Sequence, residues 1–273
     1  MGFVKEAVVK IGVVGCAGRM GQMIVRECLA SAGCTLAGGS ERAGSAAVGK
    51  DLGILVGGEP LDLIVTDNAA ALFAVAQVVI DFTTPEATVG HAALAAEHGT
   101  ALVVGTTGLN VDHLAVLAAA GAKVTVVQAA NMSLGVNLLL GLVEQVARTL
   151  DDGFDIEIVE MHHKHKVDAP SGTALALGRA AATGRGVDLD QVSARVRDGL
   201  IGPRRPGGIG FATLRGGDVV GDHTVIFAGD GERVELTHKA GGRQIFARGA
   251  VRAALWSAGR APGLYGMRDV LGV

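Results

Sequence analysis

Aromatic side chains are scarce: 7 Phe, 1 Trp and 1 Tyr make up 3% of the 273 residues. That scarcity argues against an aromatic-cored sandwich and against a stacking platform for single-stranded nucleic acid. Charge of one sign is also missing. With 24 Lys+Arg against 27 Asp+Glu, interspersed, the net charge is -3 and there is no basic arm or tail to follow a phosphate backbone. The 3 cysteines, Cys16, Cys28 and Cys34, are odd in number and show no C-x-x-C spacing, which predicts a chain of the reducing cytoplasm. Long apolar runs are absent, because Lys, Asp, His or Gly interrupts each one before it could span a membrane. The start of the chain, with Lys5, Glu6 and Lys10, does not read as a secretory leader, and Glu6 does not suit a myristoylation signal. No G-x-S-x-G elbow and no Walker lysine occurs, so hydrolase and kinase chemistry lacks a carrier.

What remains is small and aliphatic. Apolar residues make up 49% and Gly numbers 42, so the core must be built from Val, Ile, Leu and Ala, as in an α/β protein. Strand patterns at Lys10–Gly15, Thr35–Gly39, Val78–Phe82, Ala101–Gly105 and Lys123–Gln128 are almost wholly apolar. They alternate with helical stretches at Met20–Ser31, Glu86–His98 and Val111–Ala120. This predicts a Rossmann-like, doubly wound parallel sheet. The pattern changes after Asn131. A long helix at Leu134–Leu150 precedes an alternating strand at Asp155–Met161 and a helix at Ala174–Ala182. Strands follow at Phe211–Leu214, Thr224–Ala228 and Arg233–His238, the last two joined by a Gly229-Asp230-Gly231 hairpin loop. The second half therefore reads as an α+β domain with a mixed or antiparallel sheet. A final helix at Phe246–Ser257 is expected to return to the first domain.

Gly15-Cys16-Ala17-Gly18-Arg19-Met20-Gly21 lies between a strand and a helix, where small residues let the backbone approach a pyrophosphate and the helix start offers free N–H groups. Glu41 stands about 20 residues past this loop, the usual place for an acid that binds ribose. A carboxylate there favours NADH; the adjacent Arg42 could hold the 2′-phosphate of NADPH. Phe82-Thr83-Thr84, Gly105-Thr106-Thr107 and Ala129-Ala130-Asn131-Met132 end the other strands at the sheet edge where ligands of such folds lie.

The second concentration of chemistry runs from Glu160 to Thr173, with His162, His163, Lys164, His165, Lys166 and Asp168 ahead of Pro170-Ser171-Gly172-Thr173. Such a cluster suits an anion that also needs a proton. Neighbours on a strand point to opposite faces, so His162 and His163 are expected to have different roles unless the chain turns there. Ser171 is a natural N-cap, and the N–H groups at Gly172 and Thr173 make a seat for a carboxylate. Adjacent histidines without an H-x-x-x-H or Cys partner speak against a metal. His91, His98, His113, His223 and His238 stand singly and read as structural or exposed, and Lys239 and Arg243 as possible extra charge for the pocket. Together the two regions suit hydride addition to an electron-poor C=N or C=C bond of a small carboxylate. An amino-acid dehydrogenase and a non-enzymatic NAD(H) sensor are the competing readings.

The run from Glu160 to Ala174 resembles the signature of the 4-hydroxy-tetrahydrodipicolinate reductase (dihydrodipicolinate reductase) family, the second committed step of the diaminopimelate route to lysine. Gly18-Arg19-Met20-Gly21, Gly105-Thr106-Thr107-Gly108, Asn131-Met132-Ser133, Ile209–Thr213 and Met267–Leu271 extend the resemblance along the chain. The resemblance implies NADH or NADPH as cofactor, a small dicarboxylate substrate, a cytoplasmic homotetramer joined through the second domain's sheet, and neither nucleic acid, membrane nor metal as partner. It implies a dinucleotide-binding domain over residues 1–133, completed by the tail 244–273, and a substrate-binding and oligomerisation domain over 134–243. His162 would be the catalytic acid/base and Lys166 the proton donor, with His163, Gly172 and Thr173 on substrate. The cofactor would meet Gly15, Cys16, Ala17, Gly18, Arg19, Met20, Glu41, Arg42, Gly105, Thr106, Thr107, Ala129, Ala130, Asn131 and Met132. Two positions depart from the family: Thr84 stands where some relatives carry Arg, and Met132 where many carry Phe.

Overall fold

The computed structural model describes residues 8–273, so the expectations drawn on Lys5 and Glu6 lie outside the described residues. In chain order the first elements are β1 (Val9–Val14), α1 (Arg19–Ala30), β2 (Cys34–Ser40), α2 (Leu52–Leu55), α3 (Ala69–Val75), β3 (Val78–Asp81), α4 (Pro85–His98), β4 (Ala101–Val104), α5 (Val111–Gly121) and β5 (Thr125–Gln128). Next come α6 (Leu134–Thr149), β6 (Asp155–His162), α7 (Gly172–Arg185), α8 (Leu189–Val192), β7 (Ser193–Ala194), β8 (Ile209–Arg215), β9 (Asp222–Gly229) and β10 (Glu232–Lys239). The chain ends with α9 (Gln244–Ser257), β11 (Gly263–Tyr265) and α10 (Met267–Leu271). It divides into two compact units, one running up to Ser133 and including Gln244–Gly272, the other Leu134–Arg243.

The first unit is built on a parallel sheet of order β11-β5-β4-β3-β1-β2. Every residue of β3 and β4 is buried, which explains their unbroken apolar runs. Leu72, Phe73, Ala92, Ala95 and Leu117 from α3, α4 and α5 pack on Val79, Leu102 and Val126 of the strands. Helix α9 packs against α1 and against β3, β4 and β5. Helix α4 shows why the local sequence folds as it does: Thr84 accepts from Ala87 N at 3.4 Å, Pro85 opens the first turn, and Gly99 closes the helix at φ 68°. The buried face of α1 is Gly21, Ile24, Val25 and Cys28, while Leu29 is left exposed. Strand order reverses between β1 and β3, and such a switch point opens a crevice at the carboxyl ends of the two strands.

The second unit carries a mixed sheet of order β10-β9-β6-β8-β7, in which β6 pairs parallel with β8 and antiparallel with β9. Gly229 faces Glu232 across a two-residue Asp230-Gly231 turn, with Gly231 at φ 83°. Leu139, Val143, Ala174, Leu177 and Ala181 of α6 and α7 form one core with Ile156, Ile158, Phe211, Val225 and Phe227. Burial along β6 alternates strictly, and its buried residues are Ile156, Ile158, Glu160 and His162. The helix-covered face thus turns from apolar to ionisable at its carboxyl end, where the candidate chemistry sits.

Candidate active site

In the first unit the chain leaves β1 at Gly15 (φ 63°), and Gly18 N donates to Gly15 O at 3.0 Å before α1 begins. Gly18 caps α1 without any side-chain acceptor, and the first turn carries no acid. Its N–H groups therefore stand ready for an anion. A Cβ on Gly15 would lie 2.8 Å from Thr83 Cγ2, and one on Gly21 would strike the Gly15 carbonyl, so glycine is what brings loop, helix and sheet together here. Cys16 is fully buried, and burial, followed by the charge of Glu41, pushes its thiol up to about 12. It can offer a ligand only its main chain.

Glu41 braces the loop: its Oε1 accepts from Ala17 N at 2.9 Å and its Oε2 from Arg42 N at 3.3 Å. A cavity of about 770 Å³ opens at the switch point between Gly15, Glu41, Arg42, Asp67, Thr83, Thr84, Glu86 and His91. The uncapped helix start, the glycines that admit no Cβ and the braced carboxylate fit a dinucleotide. Arg19 is exposed and Met20 half-buried beside the loop.

Behind the cavity, Asp81 is wholly buried and accepts from Thr83 N at 2.8 Å, Thr83 Oγ1 at 2.6 Å and Thr106 Oγ1 at 3.3 Å. His91 Nδ1 lies 2.8 Å from its Oδ2. Burial pushes the carboxyl up, but His91 and Thr83 outweigh it and hold Asp81 below the usual range. Thr106 also accepts from Thr88 Oγ1 at 2.9 Å, so its hydroxyl faces the protein and only its main chain remains for a ligand. A Cβ on Gly105 would overlap the Phe82 ring. Thr107 and Ala130 are exposed, Ala129 N donates to Val104 O at 3.1 Å, and Asn131 Oδ1 accepts from Ser133 N at 2.9 Å. Met132 is buried against Gly249 of α9, where a Cβ would strike its carbonyl.

In the second unit the organising group is Glu160, 1% exposed. Arg215 approaches it with both terminal nitrogens at 2.8 and 3.0 Å, Ser171 N donates at 2.9 Å, and His162 Nδ1 lies at 2.6 Å. Burial alone would raise this carboxyl; Arg215, His162 and Ser171 together hold it below its ordinary value. The Ser171 hydroxyl accepts from Ala174 N at 3.1 Å as the N-cap of α7 and contacts His223 Nε2 at 3.0 Å. The His162 and His223 rings meet edge to face with centroids 5.0 Å apart. Burial and the charge of His162 bring His223 down to about 4, so it is neutral near pH 7.

The chain turns after His162, with Lys164 N bonded to Gly217 O and Lys166 N to His163 O, so strand alternation does not extend to the lysines. Lys166 Nζ pairs with Asp168 Oδ1 at 2.8 Å. His163 is half-buried and its Nδ1 has no hydrogen-bond partner. Gly172 is exposed and open enough that a Cβ would meet nothing within 4 Å; Thr173 beside it is half-buried.

Two expectations need correction. His223 and His238 do not stand alone: strand register places Glu160 opposite His223 and His223 opposite His238. Lys239 lies opposite Asp222 and thus Met161, on the other face of the sheet from Glu160, and does not join this cluster. Arg243 is exposed. The sequence reading missed Arg215, whose bond to Glu160 spans 55 positions, and His223, which only register brings to His162. Among the described residues no group of three His, Cys, Asp or Glu could hold a metal ion.

Residues 9–132 match the family described as dihydrodipicolinate reductase, N-terminus, and residues 135–271 match dihydrodipicolinate reductase, C-terminus. The chain belongs to the dihydrodipicolinate reductase family. It is 57% identical over 263 residues to a 4-hydroxy-tetrahydrodipicolinate reductase of Cereibacter sphaeroides strain KD131, covering 96% of this chain and 98% of the relative. A protein of the same name from Anaeromyxobacter dehalogenans strain 2CP-1 is 56% identical over 264 residues, covering 97% and 98%. Among solved structures, a dipicolinate-bound dihydrodipicolinate reductase from Paenisporosarcina sp. TG-14 superposes with a TM-score of 0.76 at 24% identity, over 96% of this chain and 99% of that one. An amine dehydrogenase from Mycobacterium smegmatis shares the fold more loosely, with a TM-score of 0.58 at 13% identity over 94% of both chains.

Proposed function

We propose that this chain reduces 4-hydroxy-tetrahydrodipicolinate to tetrahydrodipicolinate with NADH or NADPH, in the diaminopimelate route to lysine. The observation that carries the reading is the buried His162, oriented by Glu160 beside the capped start of α7 and followed by Lys166. A bound nicotinamide would supply the hydride that C4 of the substrate ring accepts after the 4-hydroxyl has left as water. The protein's tasks are then to hold two carboxylates and to move protons. The Gly172 and Thr173 N–H groups and His163 take a carboxylate, as a helix start and an unpaired imidazole nitrogen suit. With Nδ1 donating to Glu160, His162 keeps Nε2 for acid/base exchange with substrate. Lys166 donates a proton, and Asp168 keeps its ammonium in place until it does. The dipicolinate named in the Paenisporosarcina structure is a ligand of the same dicarboxylate class.

Cofactor contacts fall to the loop Gly15–Met20, to Glu41 and Arg42, and to the main chain of Gly105–Thr107 and Ala129–Met132. Asp67 and Glu86 line the cavity with Glu41, and Thr84 brings no charge, so a 2′-phosphate would meet three carboxylates with Arg42 to offset them. This favours NADH. The enzyme works as a cytoplasmic homotetramer, its first domain comprising residues 1–133 and 244–273 and its second residues 134–243. The face of the second sheet away from α6 and α7 carries Val159, Met161, Ala212 and Leu214, and Leu214 is 49% exposed, which suits contact between copies. Among the described residues no helix is long and apolar enough to cross a membrane.

The test is nicotinamide oxidation in the presence of pyruvate, aspartate semialdehyde and the synthase that condenses them. Oxidation that requires all three supports the reading. Turnover of a 2-oxo acid with ammonia, and none with the condensation product, would replace it with an amino-acid dehydrogenase.

A further inference from the structure

Arg215, the last residue of β8, pairs in register with His162 at the end of β6. Its side chain bonds both Glu160 and the turn that follows β6. Nη1 donates to Glu160 Oε2 at 2.8 Å and to Leu214 O at 2.6 Å. Nη2 donates to Glu160 Oε1 at 3.0 Å and to Asp168 O at 2.7 Å. A cation beside an anion site invites the reading that it grips the substrate's carboxylate. These bonds speak against it, because each terminal nitrogen has two N–H groups and both already have acceptors within the protein.

The turn from His163 to Ala169 is thinly covered. Lys164, His165, Val167, Asp168 and Ala169 are exposed, Val167 at 98%. Two bonds fasten the turn to the end of β8: Lys164 N donates to Gly217 O at 3.3 Å, and Arg215 Nη2 donates to Asp168 O. Within the turn, Lys166 N donates to His163 O at 3.1 Å and Lys166 Nζ to Asp168 Oδ1 at 2.8 Å. The Lys166 bond foremost, with the charge of Arg215 a lesser cause, holds the Asp168 carboxyl below its ordinary value. One guanidinium thus stands one bond from the carboxylate that orients His162 and one bond from the residue that holds Lys166.

We infer that Arg215 is a positioning residue for the reduction: it locks the Lys166 turn to the carboxylate that orients His162, and so sets the proton donor against the acid/base. The inference rests on the roles given to His162 and Lys166 above. Lysine cannot take its place. An ammonium could still neutralise Glu160, but as a point charge it cannot span a carboxylate and a carbonyl in one plane. Arg215→Lys therefore separates the arginine's charge from its fork. Loss of the Asp168 arm frees the turn and with it Lys166, while the Gly172 and Thr173 amides stay at the start of α7, capped by Ser171. The defect belongs in kcat and not in the substrate's KM.

The test is a double-mutant cycle by steady-state kinetics. Arg215→Lys should lower kcat on the order of 10-fold or more, with the dicarboxylate's KM little changed. In a Lys166→Ala background the same substitution should cost no more than about 2-fold further, because the group it positions is gone. Additive losses would overturn the proposal. So would a raised KM at unchanged kcat, which would make Arg215 a substrate ligand. Trypsin supplies a readout that needs no turnover. Cleavage after Lys164 or Lys166, identified by peptide mass, should run on the order of 10-fold faster in Arg215→Lys than in wild type, with cleavage after Arg195, Arg197 and Arg205 unchanged. Equal cleavage of the turn would overturn the proposal, whereas absence of reduction by the wild type would overturn the reading of the reaction. If Arg215→Lys does not fold, Arg215→Ala supplied with millimolar guanidinium is the second variant. Guanidinium should restore kcat and methylammonium should not; no rescue, or equal rescue by both, would contradict the fork.

Discussion

Glu160 Oε2 lies 2.6 Å from His162 Nδ1, two positions along the same strand and on the same face. The carboxylate is bound on its other side by Arg215 and by the amide of Ser171. One buried anion therefore fixes the imidazole, a distant arginine and the start of α7 together. It sets which histidine nitrogen carries the proton, and it keeps the N-cap serine aligned with Gly172 and Thr173. The sequence presents Glu160 as one more polar residue before a basic run; the fold makes it the group on which the cations converge.

Glu160→Gln should keep the shape of this junction and lose its charge. We expect kcat to fall on the order of 10-fold or more, because a neutral amide no longer holds the imidazole with its Nδ1 proton toward residue 160 and Nε2 toward the substrate. A purely structural role would lower the folded fraction and leave kcat per folded enzyme, measured by active-site titration, unchanged.

Lys166→Ala should lower kcat on the order of 10²-fold or more, the scale of losing a positioned proton donor. Steady-state kinetics decide the point, and near-wild-type turnover would remove this lysine from the mechanism.

Glu41→Ala should weaken NADH more than NADPH, since the ribose acceptor is lost while Arg42 remains. Some loss for both is expected, because Glu41 also holds Ala17 N at 2.9 Å. Titration by nicotinamide fluorescence measures both affinities, and equal loss would contradict the ribose role.

His223 should make stability depend on pH. Its folded value of about 4 lies below the ordinary 6.5, so between these values the unfolded chain binds more protons than the native one. Its contribution is complete above pH 6.5, declines as pH falls, and levels off below pH 4. The effect is up to about 3 kcal/mol for a shift of this size. In denaturant melts at pH 7, 5.5 and 4.5, the stability difference between wild type and His223→Gln should shrink toward low pH. A difference that stays constant would show that His223 is not the group responsible.

Much of the first unit was legible because buried parallel strands leave unbroken apolar runs, as in Val78–Asp81 and Ala101–Val104. The loop Gly15–Gly21 was legible because its glycines answer to steric demands at fixed spacing. The Ala-rich α3 was not, since Ala69–Val75 has too few large residues to show a period, and β11 is a three-residue edge strand that begins with glycine. In the site, Ser171 could be read as a cap from its neighbours. Arg215 and His223 could not, because β8 and β9 reach β6 through pairings that no local pattern encodes.

The central claim is that a small dicarboxylate ring binds at the Glu160-supported cluster. A crystal structure of the protein with NADH and dipicolinate tests it most directly. The account predicts one carboxylate of dipicolinate on the Gly172 and Thr173 amides, with His162 Nε2, His163 and Lys166 Nζ turned toward the ligand. Dipicolinate bound clear of these groups, with the His162–Glu160 pair untouched, would contradict it.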